Sequence, residues 1–427
     1  MSGIQVIDGK LAIDNKDVGQ IACRFGTPLF IYGGESIASG IEQLKASLGD
    51  CVEIYYSIKA NPAIGVCKLI NSCGIDGAEI ASSGELVAAI KSGFEPPSLL
   101  FAGPGKTDDE LDHAIRAGVG QINAESESEL LRINQFANEQ GLVQRVGIRV
   151  NLEDQNSGHG KIKTGGGPQK FGIDESRVTE AIKMISACEA LEFVGLHTMF
   201  GSQVLDTCEM LRSCKLAIQM AIRVGETSGV GIQSLNFGGG LGVSHHCDES
   251  FDMAEFGRLL TLLIADSRSC PALKQTSFMI EPGRILVSKH GVYVSSVVDV
   301  KESVGQTVAI LDGGIHHALL PITANIYRVM LVDQDGRDTT QPVTLGGPLC
   351  TSADQWRSQV TLPEVRIGDQ IAMLNSGAYG LSASMNMFLS RGTPAEVLVL
   401  HGIATIIRER STPQDVLDGQ HIPSSLD

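Results

Sequence analysis

The chain has 427 residues, 43% of them hydrophobic and 19% charged, with a formal net charge of −16. That length exceeds one ordinary core and predicts two domains, although a β/α barrel absorbs about 250 residues alone. The composition excludes a disordered chain, and the acidic balance argues against nonspecific nucleic-acid or anionic-membrane binding.

The opening, "MSGIQVIDGKLAIDNK", has no basic segment followed by an apolar run. Neither a signal peptide nor a membrane span of about 20 apolar residues is expected, and the expected location is the cytoplasm. Ten cysteines are scattered from Cys23 to Cys350 without a C-x-x-C pair. They read as reduced and buried rather than as a disulfide or zinc framework.

Residues 1–27 look β-like. "PLFIYG" (28–33) precedes a helix over 35–48, and "VEIYYSIK" (52–59) precedes one over 62–72. The same rhythm continues through "GAEIA" (77–81), "SLLFAG" (98–103), "GQINAES" (120–126), "RVGIRVN" (145–151), "EFVGLHTMF" (192–200), "IQSLNFGGG" (232–240) and "TSFMIEPG" (276–283). Strands alternating with amphipathic helices imply parallel strands joined by crossovers. About eight such units predict a closed (β/α)8 TIM barrel, with a doubly wound open sheet as the alternative. The insertion at 152–170, "LEDQNSGHGKIKTGGGPQK", reads as disordered or as a lid. After about residue 285 the texture becomes strand-like, in "GVYVSSVVDVKES", "QTVAILDGG", "QPVTLGG" and "DQIAMLNSG". The expected domains are a barrel at 28–283 and a β domain made of 1–27 and 284–427. The tail from about 411 is polar and expected to fray.

Several stretches carry candidate chemistry. Lys59 ends the strand "YYSIK", where barrel active sites gather. A desolvated lysine there is a nucleophile toward carbonyls, forming Schiff bases; otherwise it snorkels at a strand edge. "FGGGLGV" (237–243) lets backbone N–H groups approach an anion, or is a tight turn. In "IEPGR" (280–284), Glu281 suits a protonated ring nitrogen and Arg284 suits a phosphate or carboxylate; the alternative is a structural ion pair. Cys350 in "GGPLCTSAD" is a proton donor, a nucleophile or buried filler. Tyr379 in "NSGAYG" is a phosphate hydroxyl donor or a packed tyrosine. His245, His246, Cys247 and Asp248 lack the one-face spacing of a helical metal site and read as an exposed loop, and no metal is expected. His316 and His317 read as structural or pocket-lining.

The order of these motifs is specific. "YYSIKANP", "GAEIASSGEL", "GLHTMFGSQ", "LNFGGGLGV", "EPGR", "GPLCTSAD" and "GAYG" run in series from 55 to 380. The series resembles the fold-type III, pyridoxal-phosphate-dependent decarboxylases of the diaminopimelate and ornithine group. The resemblance implies a (β/α)8 barrel followed by a β domain, in a head-to-tail homodimer with a shared active site. It implies Lys59 as the lysine that carries pyridoxal 5'-phosphate and Glu281 as the partner of the pyridine nitrogen. Ser202, Gly239, Gly240 and Tyr379, with backbone around Gly283 and Arg284, would hold the phosphate. Glu79 would lie near the cofactor. Cys350 would come from the second subunit and return a proton to the substrate carbon. Arg284, His317 and Tyr379 would also face the substrate.

Three departures bear on that substrate. Diaminopimelate enzymes typically read H-x-H-x-G-S-Q, whereas "HTMFGSQ" keeps His197 but puts Met199 at the ring-stacking position. The acidic residue that follows the cysteine in these relatives is Thr351 here, and the carboxylate-binding arginine of "IRP" is Leu320. Both losses remove a charged partner for a diaminopimelate-like substrate. "DGGIHH" and "GPLCT" resemble a side branch that acts on carrier-linked or conjugated amino acids. That branch includes the butirosin-type glutamyl carrier-protein and siderophore-conjugate decarboxylases. The expected function is decarboxylation of an α-amino acid or its conjugate in a specialised pathway. The alternatives are diaminopimelate or ornithine/lysine decarboxylation, an amino-acid racemase, or an inactive regulatory homologue.

Overall fold

The computed structural model describes residues 3–152, 162–163, 168–244, 251–323, 327–334, 336–337 and 339–426. It divides into two compact units, Ala38–Leu286 and a second made of Met1–Ile37 with Val287–Asp427.

The first unit is a closed parallel barrel. Its strands are β1 (Glu53–Ser57), β2 (Gly77–Ile80), β3 (Leu99–Phe101), β4 (Gln121–Ala124), β5 (Gln144–Asn151), β6 (Leu191–His197), β7 (Ser234–Asn236) and β8 (Ser277–Ile280). They pair in chain order, β8 returns to β1, and β4 pairs with β5, so no open sheet remains. Every residue of β2, β3 and β4 is buried. Such continuous burial follows when helices cover the outside and side chains fill the inside. Tyr55, Leu100 and Met279, from β1, β3 and β8, form one buried cluster. Since β3 borders neither of the other two strands, this contact crosses the barrel interior.

Helix starts follow local chemistry. The Oγ of Ser82 accepts from Glu85 N, that of Ser126 accepts from Glu129 N, and Thr107 with Glu110 forms a reciprocal capping box. Deeper in the barrel wall, Lys106 Nζ donates to Glu129 Oε1 at 2.6 Å, and to the carbonyls of Gly103 and Asn123 at 2.9 Å each. All three ammonium hydrogens are thereby used, which is what makes a buried lysine tolerable.

The second unit centres on the long strand Gly291–Ser303. It pairs antiparallel with Gln306–Leu311, Gln370–Met373 and Leu29–Gly33. Two sequence expectations are corrected here. "PLFIYG" does not open the barrel: Leu29–Gly33 lies between Gly291–Ser303 and Ala395–Leu400, in the second unit's sheet. A run buried along its whole length reads the same in either sheet, and only its pairing decides. Residues 1–27 are not wholly β, since Val18–Phe25 is a helix capped by Asp17 after the small sheet of Ile4–Ile7, Lys10–Ile13 and Lys16–Asp17. Among the described residues, no helix is long and apolar enough to cross a membrane.

Lys106→Met leaves the Glu129 carboxylate buried without its cation. This is expected to destabilise the fold by about 3–5 kcal/mol, and Lys106→Met with Glu129→Leu to recover most of the loss. Urea unfolding midpoints of the three proteins check this.

Candidate active site

Five adjacent strands, β6, β7, β8, β1 and β2, bring polar side chains to their C-terminal ends. Lys59 stands on the single 3-10 turn Ile58–Ala60 that follows β1. Its Nζ lies 2.7 Å from both Glu79 oxygens. Glu79, on β2, is buried and also accepts from Ser57 Oγ at 2.6 Å. The lysine side chain keeps 42% of its exposure, so its amine is fixed in place but reachable.

Glu281 directly follows β8 and is 4% exposed. Asn236 Nδ2 donates to its Oε1 at 2.7 Å, and His197 Nε2 lies 3.3 Å from its Oε2. Burial alone would raise its pKa. The facing His197 charge, then the more distant Lys59 charge and the Asn236 hydrogen bond, outweigh that and hold it down to about 2. Among the described residues, neither nitrogen of the buried His197 ring has a well-aligned hydrogen bond.

The glycine loop lies against this network. A Cβ on Gly239 would sit 2.4 Å from the Glu281 carbonyl oxygen, and one on Gly240, at φ +100°, 2.4 Å from that of Gly201. Only glycine allows this approach. Gly283 is also close-packed, its absent Cβ falling 2.9 Å from that of Ala60. Val204 N donates to Gly240 O and Gly242 N to Val204 O, which fastens the Gly201–Ser202 segment beside the loop. Met199 Sδ accepts from Gly239 N at 3.3 Å, so the thioether packs on the glycine loop itself. Arg284 opens the short helix Arg284–Val287 after Gly283.

The remaining predicted residues belong to the second unit. Cys350 is a free, exposed thiol. Its loop is held by buried Asp354, which accepts from Leu349 N at 2.9 Å and from Ile315 N at 2.8 Å. Thr351 follows the cysteine, and its Oγ1 accepts from Ala353 N at 3.3 Å. Tyr379 takes φ +53°, a left-handed conformation unusual for a bulky residue. His317 does not present a free edge to a substrate. Its Nε2 faces Gly392 O and its Nδ1 faces Tyr293 OH, each at 3.0 Å. A carbonyl only accepts, so Nε2 carries the hydrogen. Burial pushes the ring's pKa down to about 3, so the ring is neutral and the tyrosine donates to Nδ1. The expected substrate contact at His317 is therefore corrected to an internal brace. The side chain of Leu320, the cluster His245 to Asp248 and most of the 152–170 insertion lie outside the described residues.

Comparison with known proteins places this geometry. The family model "Pyridoxal-dependent decarboxylase, pyridoxal binding domain" matches residues 35–288. The chain belongs to this family. It is a decarboxylase, and its cofactor is pyridoxal phosphate. It is 34% identical to the L-glutamyl-[BtrI acyl-carrier protein] decarboxylase of Niallia circulans, over 96% of this chain and 97% of that one. It is also 34% identical to the diaminopimelate decarboxylase of Methanothermobacter thermautotrophicus, over 99% and 98%. The diaminopimelate decarboxylase of M. jannaschii, solved in co-complex with L-lysine, superposes with a TM-score of 0.93 at 28% identity, covering 100% of both chains.

The barrel residues fit a pyridoxal-dependent decarboxylase. A fixed amine, an ionised buried carboxylate and a loop too close-packed for side chains meet the needs of an aldehyde, a ring nitrogen and a phosphate respectively. Three contributors escaped the sequence reading. Ser57 orients Glu79. Glu85 accepts from Ala81 N at 2.7 Å, and burial together with the Glu79 charge pushes its pKa up to about 7. Asn236 holds Glu281, and its signal was the one that exposed Lys59, a polar residue ending a buried strand.

The Glu281 pKa is depressed on folding, so its ionisation favours the fold at pH above its ordinary value of 4.5. That contribution is lost as the pH falls from there through about 2. Cofactor-free Glu281→Gln is expected to lose stability less steeply than the unaltered protein across that window, as read from urea midpoints at successive pH values.

Proposed function

We propose that the chain releases carbon dioxide from an α-amino acid whose side chain is joined to a larger group, such as a carrier protein or a citryl unit. The observation that carries this reading is the loop beside Cys350. Thr351 offers no charge, and both oxygens of Asp354, the carboxylate of the same loop, are taken by Leu349 N and Ile315 N. A distal ammonium there would lose its hydration without an ionic partner, a penalty of several kcal/mol. A side chain joined as a thioester or amide carries no such charge. The α-amine and α-carboxylate take part in the reaction and must stay free, so the link runs through the side chain. The name of the Niallia circulans relative, a decarboxylase of a carrier-linked glutamyl group, supports the same class. Carrier linkage or siderophore assembly would place the reaction in a specialised pathway.

When bound, pyridoxal phosphate supplies the electron sink for the pair left as carbon dioxide departs. The chain's own groups do the rest. Lys59, held by Glu79, would supply the amine that anchors the cofactor. Glu281, buried with its pKa held low, would favour a protonated pyridine nitrogen. Gly239, Gly240, Gly283 and Ser202, with Arg284, would hold the phosphate. His197 and Met199 would lie near the ring. Cys350 returns a proton to the substrate α-carbon. We infer that two copies associate and that Cys350 completes the site of the other copy, as the family resemblance implies.

Carbon dioxide release by the holoenzyme tests the substrate class. Glutamate joined through its side-chain carboxyl as a thioester is expected to exceed free glutamate, lysine, ornithine and diaminopimelate by at least about tenfold in kcat/KM. Faster turnover of free diaminopimelate would favour the other well-matched relatives instead. Lys59→Ala is expected to remove the visible cofactor band, and Cys350→Ala to retain it while slowing amine formation. Mixing these two impaired variants under exchange is expected to raise the activity to about a quarter of the unaltered protein's, because half of the dimers are then mixed and hold one intact site of two.

A further inference from the structure

Asn236 is the last residue of β7 and is 0% exposed. Its amide has two partners of opposite character. Nδ2 donates to Glu281 Oε1 at 2.7 Å, while Oδ1 accepts from Gly238 N at 2.8 Å. These partners fix the amide's orientation, because a carboxylate only accepts and a backbone N–H only donates. The backbone repeats the connection: Glu281 N donates to Gly238 O at 2.8 Å, and Thr198 N, next to His197, donates to Asn236 O at 2.8 Å. One buried side chain thus joins the carboxylate at the end of β8 to the first turn of the glycine loop, while His197 stands on the carboxylate's other oxygen.

We propose that Asn236 is a positioning residue that holds the ring-nitrogen carboxylate and the phosphate-binding turn as one rigid unit, so that both ends of the cofactor meet a site of fixed span. The proposal rests on the reading of Glu281 as the partner of the pyridine nitrogen. Its physical basis is preorganisation. Glu281 would otherwise rotate to follow His197 alone, and Gly238 N would lose its only side-chain acceptor among the described contacts. An asparagine is suited to this because it donates on one side and accepts on the other without adding charge. Aspartate has nearly the same shape and keeps the Gly238 contact, but it turns an acceptor, and a negative charge, toward Glu281.

The test uses Asn236→Asp, Glu281→Gln and the double variant, each prepared without cofactor and titrated with pyridoxal phosphate. The visible band of the bound cofactor gives its dissociation constant and its pH profile, and thermal melting of the cofactor-free proteins reports the fold. Asn236→Asp is expected to weaken cofactor binding by tenfold or more and to shift the pH profile of the band. Combining it with Glu281→Gln, which lets the new amide at position 281 donate to the new carboxylate at position 236, is expected to restore the melting temperature but not the unaltered band. Binding within twofold of the unaltered protein and an unmoved profile in folded Asn236→Asp would overturn the proposal, whatever the melting temperature. If Glu281→Gln itself left the band and its pH profile unmoved, the reading of Glu281 would fail instead.

Discussion

Glu281 is buried and yet ionised, and burial alone would have put a proton on it. Its charge survives because three strand ends converge on it. β6 brings His197, β7 brings Asn236, and the residue itself follows β8. In-register pairing sets this up. His197 stands opposite Asn236, and Asn236 opposite Met279, so the side chains rise from the barrel at nearly one level. A one-residue slip in either pairing would turn Asn236 or His197 to the wrong face and leave an unpaired carboxylate in the wall. Correct closure of the barrel and correct charge at the site are therefore one requirement.

Lys59 and Glu79 obey the same rule on the next two strands. Ser57 pairs with Glu79 across β1 and β2, and its hydroxyl also holds that carboxylate. The two carboxylates of the site differ in their counter-charge. Glu79 contacts the lysine directly, whereas Glu281 faces His197 and accepts from Asn236. A group that engages the Lys59 amine thus leaves the contact partners of Glu281 in place. The two carboxylates thus have separate contact partners, and the Lys59 charge reaches Glu281 only over a longer distance, although Lys59 and Glu281 follow adjacent strands.

Much of this was legible in the sequence. The strand–helix rhythm from 52 to 283 marked the eight barrel strands, because each parallel strand is a short apolar run between amphipathic stretches. Lys59 and Glu281 stood out as charges at the ends of such runs. The rest failed for physical reasons. The run at 29–33 carries no local sign of which sheet it joins, since strand pairing is a long-range property. Asn236 went unremarked within the run "IQSLNFGGG", because its role depends on a carboxylate 45 positions later. His317 carried a plausible motif, but its nitrogens are consumed by Tyr293 and Gly392, which no spacing announces.

Met199 sharpens what changes among members of one fold and what does not. Electron withdrawal from an α-carbon is the same task for any amino acid, so the groups proposed to hold the cofactor can stay fixed while the rest of the substrate varies. On the function proposed above, a thioether at position 199 fits that division. Its sulfur is a weak acceptor that satisfies the Gly239 N–H without a proton of its own to gain or lose. A neutral side chain there leaves His197 and Glu281 as the titratable pair of this network. Met199 therefore adds a contact to the glycine loop without adding a charge to the network around Glu281.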